Sequence, residues 1–357
     1  MKAKKDPTTG KWMIQYRYTD WQGQSKKSTK RGFKTKKEAE EWLRNFLLSQ
    51  QADFNMKFEE FIKLYLEDMK PRLKESTMLM KEQLIEQKIV PYFGKKSVNK
   101  ITPADIRKWQ NELMSKGYAP TYLRTINNQI TAIFNYAVKY YDLKSNPCHK
   151  AGTMGKKNSD EKGIWTTEDF SKFISVFDDR PQSYMGFMIL FWSGLRIGEL
   201  LALTVADIDF ENETLTVNKS YQRINGRDVV TTPKTPKSNR TISLPHFLME
   251  PIANYISKIY NAKPDTRLLP CTKWYFEHEI KRGAELAGLK KIRIHDLRHS
   301  HCSLLFEMGI SPLEVADRLG HEKVETTLDI YAHLYPNKQK QLSDKTDKLF
   351  GEEFISK

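Results

Sequence analysis

The stretch "IRIHDLRHSHCSLL", residues 292–305, sets three histidines and a cysteine within eight residues, His295 to Cys302. His295 and His299 stand at i and i+4, on one face of a helix, as two zinc ligands would. The stretch also differs from H-E-x-x-H only in its shorter carboxylate. Arg298 argues against a metal. At i+3 from His295 it shares that face, and a guanidinium that cannot shed its charge repels a divalent cation. Asp296 is shorter than the glutamate that base catalysis on zinc-bound water wants, and Cys302 has no partner cysteine at ligand spacing. His301 continues the stripe Leu297, His301, Leu304, Met308, which makes it a core or partly buried histidine. H-x-x-R reads better as an anion site, with a proton acceptor beside a bidentate oxyanion donor, as a phosphodiester needs.

A second fragment points the same way. In "GLRIGELLAL", residues 194–203, Arg196 follows the apolar segment "PQSYMGFMILFWSG" directly, with Glu199 one turn later to hold it. Either arginine alone could be structural. Their setting favours phosphate, because the 357 residues carry 59 Lys+Arg against 44 Asp+Glu, a net +15 that suits a polyanionic partner, nucleic acid before an anionic membrane surface. No apolar run approaches the length of a membrane span, and "MKAKKDPTTGKW" lacks the hydrophobic region of a signal peptide. Cys148, Cys271 and Cys302 form no C-x-x-C pair and no disulfide framework, which fits a reducing cytoplasm.

The length calls for more than one core, and the pattern divides accordingly. Residues 1–52 read as a small sheet plus a helix. "KWMIQYRYTD" alternates, with Trp12, Ile14, Tyr16 and Tyr18 on one face, and "QSKKSTKRGF" is a second, basic strand. "TKKEAEEWLRNFLL" opens with a capping box, Thr35 and Glu38, and buries Ala39, Trp42, Leu43, Phe46 and Leu47. Residues 1–46 alone hold a net +8, more than half the surplus, as expected of a DNA-groove reader. Residues 56–145 read as a helical bundle: a stripe of Phe58, Phe61, Ile62 and Tyr65; a helix capped by Ser76 and ending at Pro91; Thr102 as N-cap with Pro103 at N1 and Gly117 at the stop; and a long helix through Leu123, Ile126, Ile130, Ile133, Phe134 and Ala137. Residues 146–163 break the periodicity and predict a linker. Residues 164–337 then predict an α+β domain, with a helix from Thr166, strands and hairpins over 213–244 with the turn "NGRD", and helices near 246–260, 273–287, 295–308, 312–319 and 324–334. The polar tail 338–357 stands apart.

"GLRIGELLAL", "TPKTPKSNRTISLP", "HDLRHSH", "LGH" and "TTLDIYAHL", in this order and spacing, resemble the tyrosine recombinase (phage-type integrase) family, and most closely the integrases of phages and integrative conjugative elements. The resemblance spans the chain. It implies a mainly α, multidomain fold with small β-sheets: an arm-type DNA-binding domain at 1–52, a helical, SAM-like core-binding domain at 56–145, a catalytic domain at 164–337 and a tail, 338–357, that contacts a neighbouring subunit. It implies that Arg196 and Arg298 clamp the scissile phosphate and that Tyr331 is the nucleophile of a 3′-phosphotyrosyl intermediate. Lys234 becomes the general acid for the leaving 5′-oxygen, with Lys237 three residues on as the competing assignment. His295 assists proton transfer, His321 hydrogen-bonds the phosphate, and His299 and His301 support the helix. The expected activity is site-specific DNA recombination for a mobile element, without metal, ATP or any other cofactor. The expected partners are double-stranded core-type and arm-type attachment sites, three further copies in a homotetramer, a host DNA-bending protein and a directionality factor, all in the cytoplasm. A type IB topoisomerase would share the chemistry without using an arm domain. An idle DNA-binding protein would have no use for Tyr331, Arg196 and Arg298 together.

Overall fold

The computed structural model describes residues 3–19, 25–53, 56–157, 163–233 and 236–328. The chain divides into two compact units, Met1–Asp160 and Glu161–Lys357.

The first unit opens with three antiparallel strands in sequential order, β1 (Lys4–Lys5), β2 (Trp12–Thr19) and β3 (Ser25–Phe33), followed by α1 (Lys36–Asp53). Alternation decides the two faces. Ile14, Tyr16 and Phe33 are buried with Ala39 and Leu43 of α1, and Trp12 and Trp42 pack at the margin. The opposite parity pairs Met13 with Arg31, Gln15 with Thr29 and Arg17 with Lys27, a polar, cationic face on which Gln15, Arg17, Lys27 and Arg31 are exposed. The Thr35 hydroxyl accepts from the Glu38 N–H, while the Glu38 carboxylate reaches back to the N–H of Lys34 rather than to that of Thr35.

The helical part comprises α2 (Phe58–Met69), α3 (Glu75–Lys88), α4 (Val90–Phe93), α5 (Pro103–Ser115), α6 (Pro120–Tyr140) and α7 (Pro147–Ala151). Thr102 closes a full capping box with Asp105, and Gly117 takes φ +69 just beyond the end of α5. Three expectations shift here. Helix α3 begins at Glu75, with Ser76 inside its first turn and no side-chain cap; the extended residues Leu73 and Lys74 separate it from the turn Lys70–Arg72, so the N-cap position falls on Lys74, ahead of Ser76. Pro91 starts α4 instead of ending α3, since a proline at the first turn sacrifices no hydrogen bond. The linker begins later than Asn146. Asn146 caps α7 through Cys148 N–H, Cys148 and Met154 are buried in the bundle core, and Lys156 N–H donates to the Pro120 carbonyl. Pro147 and Gly152, read as breakers, here start and stop a short helix.

The second unit is built on α9 (Pro181–Ser193), preceded by α8 (Thr167–Ile174), which Thr166 caps. Helix α9 is apolar on every side, and Met185, Phe187, Ile189, Leu190 and Phe191 are all buried. The chain continues through α10 (Ile197–Leu200), β4 (Ile208–Asp209), β5 (Thr214–Val217), β6 (Ser220–Ile224), β7 (Arg227–Thr231), β8 (Arg240–Ser243), α11 (His246–Ser257), α12 (Lys273–Leu286), α13 (Asp296–Glu307) and α14 (Pro312–Leu319). Strands β4, β5 and β8 form one antiparallel sheet in that order, and β6 and β7 form a hairpin. Its turn places Asn225 at φ 49 and Gly226 at φ 77, the positive values a two-residue turn demands. Residues 325–328 are helical at the edge of the described chain. The tail 338–357 lies outside the described residues. Among those described, no helix is long and apolar enough to cross a membrane.

Candidate active site

Two helix ends make the floor of the site. Helix α9 stops at Gly194 (φ +68) and α14 at Gly320 (φ +66), each in the left-handed conformation that releases the last carbonyls. Both aim those carbonyls at one guanidinium. Arg298, only 2% exposed, donates from Nη1 to the Gly194 carbonyl (2.8 Å) and from Nη2 to the Leu319 carbonyl (2.6 Å). The negative ends of two helices thus offset its burial without cancelling its charge. Burial and the neighbouring Arg196 charge pull Arg298 down to about 9, which still leaves it cationic at neutral pH.

Arg196 enters from the other side of the α9 stop. It is the N-cap of α10; its N–H and Nη1 donate to the two Glu199 oxygens at 3.0 and 2.7 Å, while its side chain stays 36% exposed. Glu199 is itself buried and takes a second arginine, Arg240 of β8, at 3.0 Å from Nη2 and 3.3 Å from Nη1. Burial alone would raise the Glu199 pKa. The Arg240 hydrogen bonds and the Arg240 and Arg196 charges outweigh it and hold the carboxyl below its ordinary range.

The histidines gather at the same place. His295 stands immediately before α13, exposed on one side; desolvation and then the Arg298 and Arg196 charges lower its pKa, so it is a neutral proton acceptor at pH 7. His321 follows the α14 stop, and its Nδ1 is 2.7 Å from Oγ1 of the buried Thr327. Desolvation, then Arg298, Arg196, His295 and His299, press it down to about 3. A neutral His321 can donate to a phosphate oxygen only from Nε2, which requires the Thr327 hydroxyl to donate to Nδ1.

The structure therefore brings together Arg196, His295, Arg298 and His321. Lys234 and Tyr331 lie outside the described residues. His301 is the core histidine its stripe foretold: it is 2% exposed, and its Nε2 accepts from Arg318 Nε at 3.3 Å. The stripe ends early, with Met308 66% exposed. His299 is half-buried, and its ring meets that of His295 edge-on at 5.1 Å. Sequence reasoning missed Arg240, Arg318 and Thr327. Arg240 carried a signal, since it shares strand parity with the buried Ile242, and an arginine on the inward side of a strand needs a partner. Among the described residues no three His, Cys, Asp or Glu side chains gather as metal ligands would.

Comparison with known proteins agrees over most of the chain. Residues 166–338 match the phage integrase family, residues 57–114 its N-terminal SAM-like domain, and residues 3–50 an arm DNA-binding domain. The ICEBs1 integrase of Bacillus subtilis is 34% identical over 309 residues, covering 83% of this chain and 84% of the relative. A XerC-like tyrosine recombinase of Caldanaerobacter subterraneus is 27% identical, covering 70% and 72%. Among solved structures, the Tn1549 transposon integrase in complex with transposon right end DNA superposes with a TM-score of 0.68 at 22% identity, covering 81% of this chain and 100% of that one. A lambda integrase tetramer bound to a Holliday junction gives 0.61 at 15%, covering 92% and 91%. At these identities the two structures speak for the fold.

Proposed function

The chain belongs to the phage integrase family and is a tyrosine site-specific recombinase; from this premise we propose how its residues divide the work. Arg196 and Arg298 take the non-bridging oxygens of the scissile phosphate. Tyr331 attacks the phosphorus, forming a 3′-phosphotyrosyl ester as the bond to the 5′-oxygen breaks. A free phenol, with a pKa of about 10, is a weak nucleophile at neutral pH, so His295 accepts its proton. Lys234 protonates the leaving 5′-oxygen. His321, oriented by Thr327, donates to the phosphate. The ester preserves the bond energy, and the reverse attack by the partner strand's 5′-hydroxyl completes exchange without ATP. Two arginines neutralise the charge that a metal would otherwise hold.

The observation that supports this reading is the convergence of Arg196, His295, Arg298 and His321 on one cationic spot, where the carboxylate of Glu199 is already bound by two arginines.

We assign the polar sheet face of Gln15, Arg17, Lys27, Thr29 and Arg31 to the major groove of arm-type sites, and the helical part to core-type sites. The active assembly is a homotetramer on two synapsed duplexes in the cytoplasm, assisted by a host DNA-bending protein and a directionality factor, with residues 338–357 contacting a neighbouring subunit.

The test is recombination between duplexes carrying the element's joined ends and its target, in EDTA without ATP. Recombinant product that disappears with Arg298→Ala is expected; a requirement for divalent metal would overturn the reading. The same assay sorts the two lysines. A 5′-bridging phosphorothiolate, whose sulfur leaves without protonation, should restore cleavage to Lys234→Ala; rescue of Lys237→Ala instead would move the general acid to Lys237.

A further inference from the structure

We propose that Arg240 is a positioning residue for strand cleavage: it neutralises Glu199 so that the charge of Arg196 remains available to the scissile phosphate. The inference rests on the reading of Arg196 as a phosphate ligand.

Glu199 presents one carboxylate to two guanidiniums. Arg196 alone with Glu199 would be a neutral pair, and a neutral pair offers a phosphodiester little. A carboxylate held by the same guanidinium would also repel the phosphate. With Arg240 added, two arginines and one carboxylate leave one positive charge. Burial decides where that charge goes. The Arg240 side chain is only 8% exposed, against 36% for Arg196. Its Nη1 and Nη2 face the Glu199 oxygens, its Nε donates to the Arg318 carbonyl at 2.9 Å, and its Nη1 also reaches the Ser238 carbonyl at 3.2 Å. Every donor of Arg240 is turned inward, so it cannot itself grip DNA. Arg196 keeps Nη2 free of Glu199, with only a 3.5 Å approach to the Gly320 carbonyl. The surplus charge therefore surfaces on Arg196.

The same contacts make Arg240 a fastener. It ties β8 to α10 through Glu199 and to the end of α14 through the Arg318 carbonyl, two residues before Gly320. A Cβ on Gly320 would stand 2.9 Å from the Lys237 carbonyl and 3.1 Å from Arg240 Cδ, so this junction has no slack. A purely structural fastener and a charge-balancing one differ in a measurable way: only the second should matter less when the phosphate carries no charge.

The full-length protein is given two suicide duplexes, one with the natural scissile phosphate and one with a neutral methylphosphonate in its place. Single-turnover cleavage is followed for the parent, Arg196→Ala, Arg240→Met, Arg240→Lys and the double variant Glu199→Gln/Arg240→Met. Arg240→Met should cleave the phosphodiester on the order of tenfold to a hundredfold more slowly than the parent. On the methylphosphonate it should come within a few-fold of the parent. Arg240→Lys should fall between the two with the same substrate dependence, and the double variant, having no carboxylate left to quench Arg196, should outpace Arg240→Met on the phosphodiester. The ratio of the two substrates is taken within one preparation, so a partly unfolded fraction cancels. Equal slowing on both substrates would reduce Arg240 to a packing role and overturn the inference, as would unimpaired cleavage or a double variant no faster than Arg240→Met. Arg196→Ala separates the premise: if it cleaves the phosphodiester at the parental rate, the assignment of Arg196 fails, whatever Arg240 does.

Discussion

His301 lies beneath the site, and its replacement by glutamine tests how that layer is built. The imidazole is 2% exposed, and its Nε2 accepts from Arg318. Desolvation first, and the Arg318 charge second, lower its pKa from the ordinary 6.5 to about 3. Between those values the unfolded chain binds a proton that the folded chain refuses, so stability rises with pH across this window and is lost as pH falls through it. From pH 7 to pH 5 the loss integrates to about 2 kcal/mol for this one residue, as an order of magnitude. His301→Gln keeps an acceptor for Arg318 and does not titrate. Acid sensitivity from other groups, His321 included, is common to parent and variant and cancels. Urea unfolding at pH 7 and pH 5, followed by tryptophan fluorescence with Trp165 and Trp192 in the relevant unit, should show the variant losing about 2 kcal/mol less than the parent. Equal losses, within about 0.5 kcal/mol, would mean that His301 is protonated in the fold, and the reasoning would fail.

Three further outcomes follow from particular contacts. Thr327→Val removes the donor to His321 Nδ1 and frees that nitrogen to take the proton; single-turnover cleavage should slow about tenfold or more with core-site affinity unchanged, and unchanged cleavage would refute the tautomer assigned to His321. Gly186→Ala puts a methyl 2.2 Å from Phe276 Cζ in the core of the second unit and should cost about 1–3 kcal/mol in urea unfolding; a neutral result would mean the core yields more easily than its packing indicates. Replacing Arg17 and Lys27 together by alanine should weaken arm-site binding and lower the salt slope by about 1 for each cation that meets a phosphate, while cleavage of a core-site suicide duplex persists.

Where local rules agree with one another, the sequence was legible. Thr102 followed by Pro103, and Thr166 followed three residues later by Asp169, mark helix starts because the capping chemistry needs only neighbours. The alternation of Trp12, Ile14 and Tyr16 settles the buried face of β2, and the apolar run 181–193 its helix. Reading failed where tertiary partners decide. Pro147 and Gly152 look like a linker until Cys148 and Met154 are seen in the bundle core, and nothing local shows that burial. Arg196, Arg298, His295 and His321 lie up to 125 positions apart in sequence, and their order suggested a family before any geometry joined them. Arg240 stayed hidden because its partner, Glu199, is 41 positions away, and Glu199 already had a sufficient partner nearby in Arg196.

The most direct test of the tyrosine mechanism is a nicked suicide duplex from the element's ends, incubated with full-length protein in EDTA and run on a denaturing gel. A covalent protein–DNA adduct that maps to Tyr331 and vanishes with Tyr331→Phe is the expected result. Tight binding without any adduct, or an adduct that survives Tyr331→Phe, would contradict it.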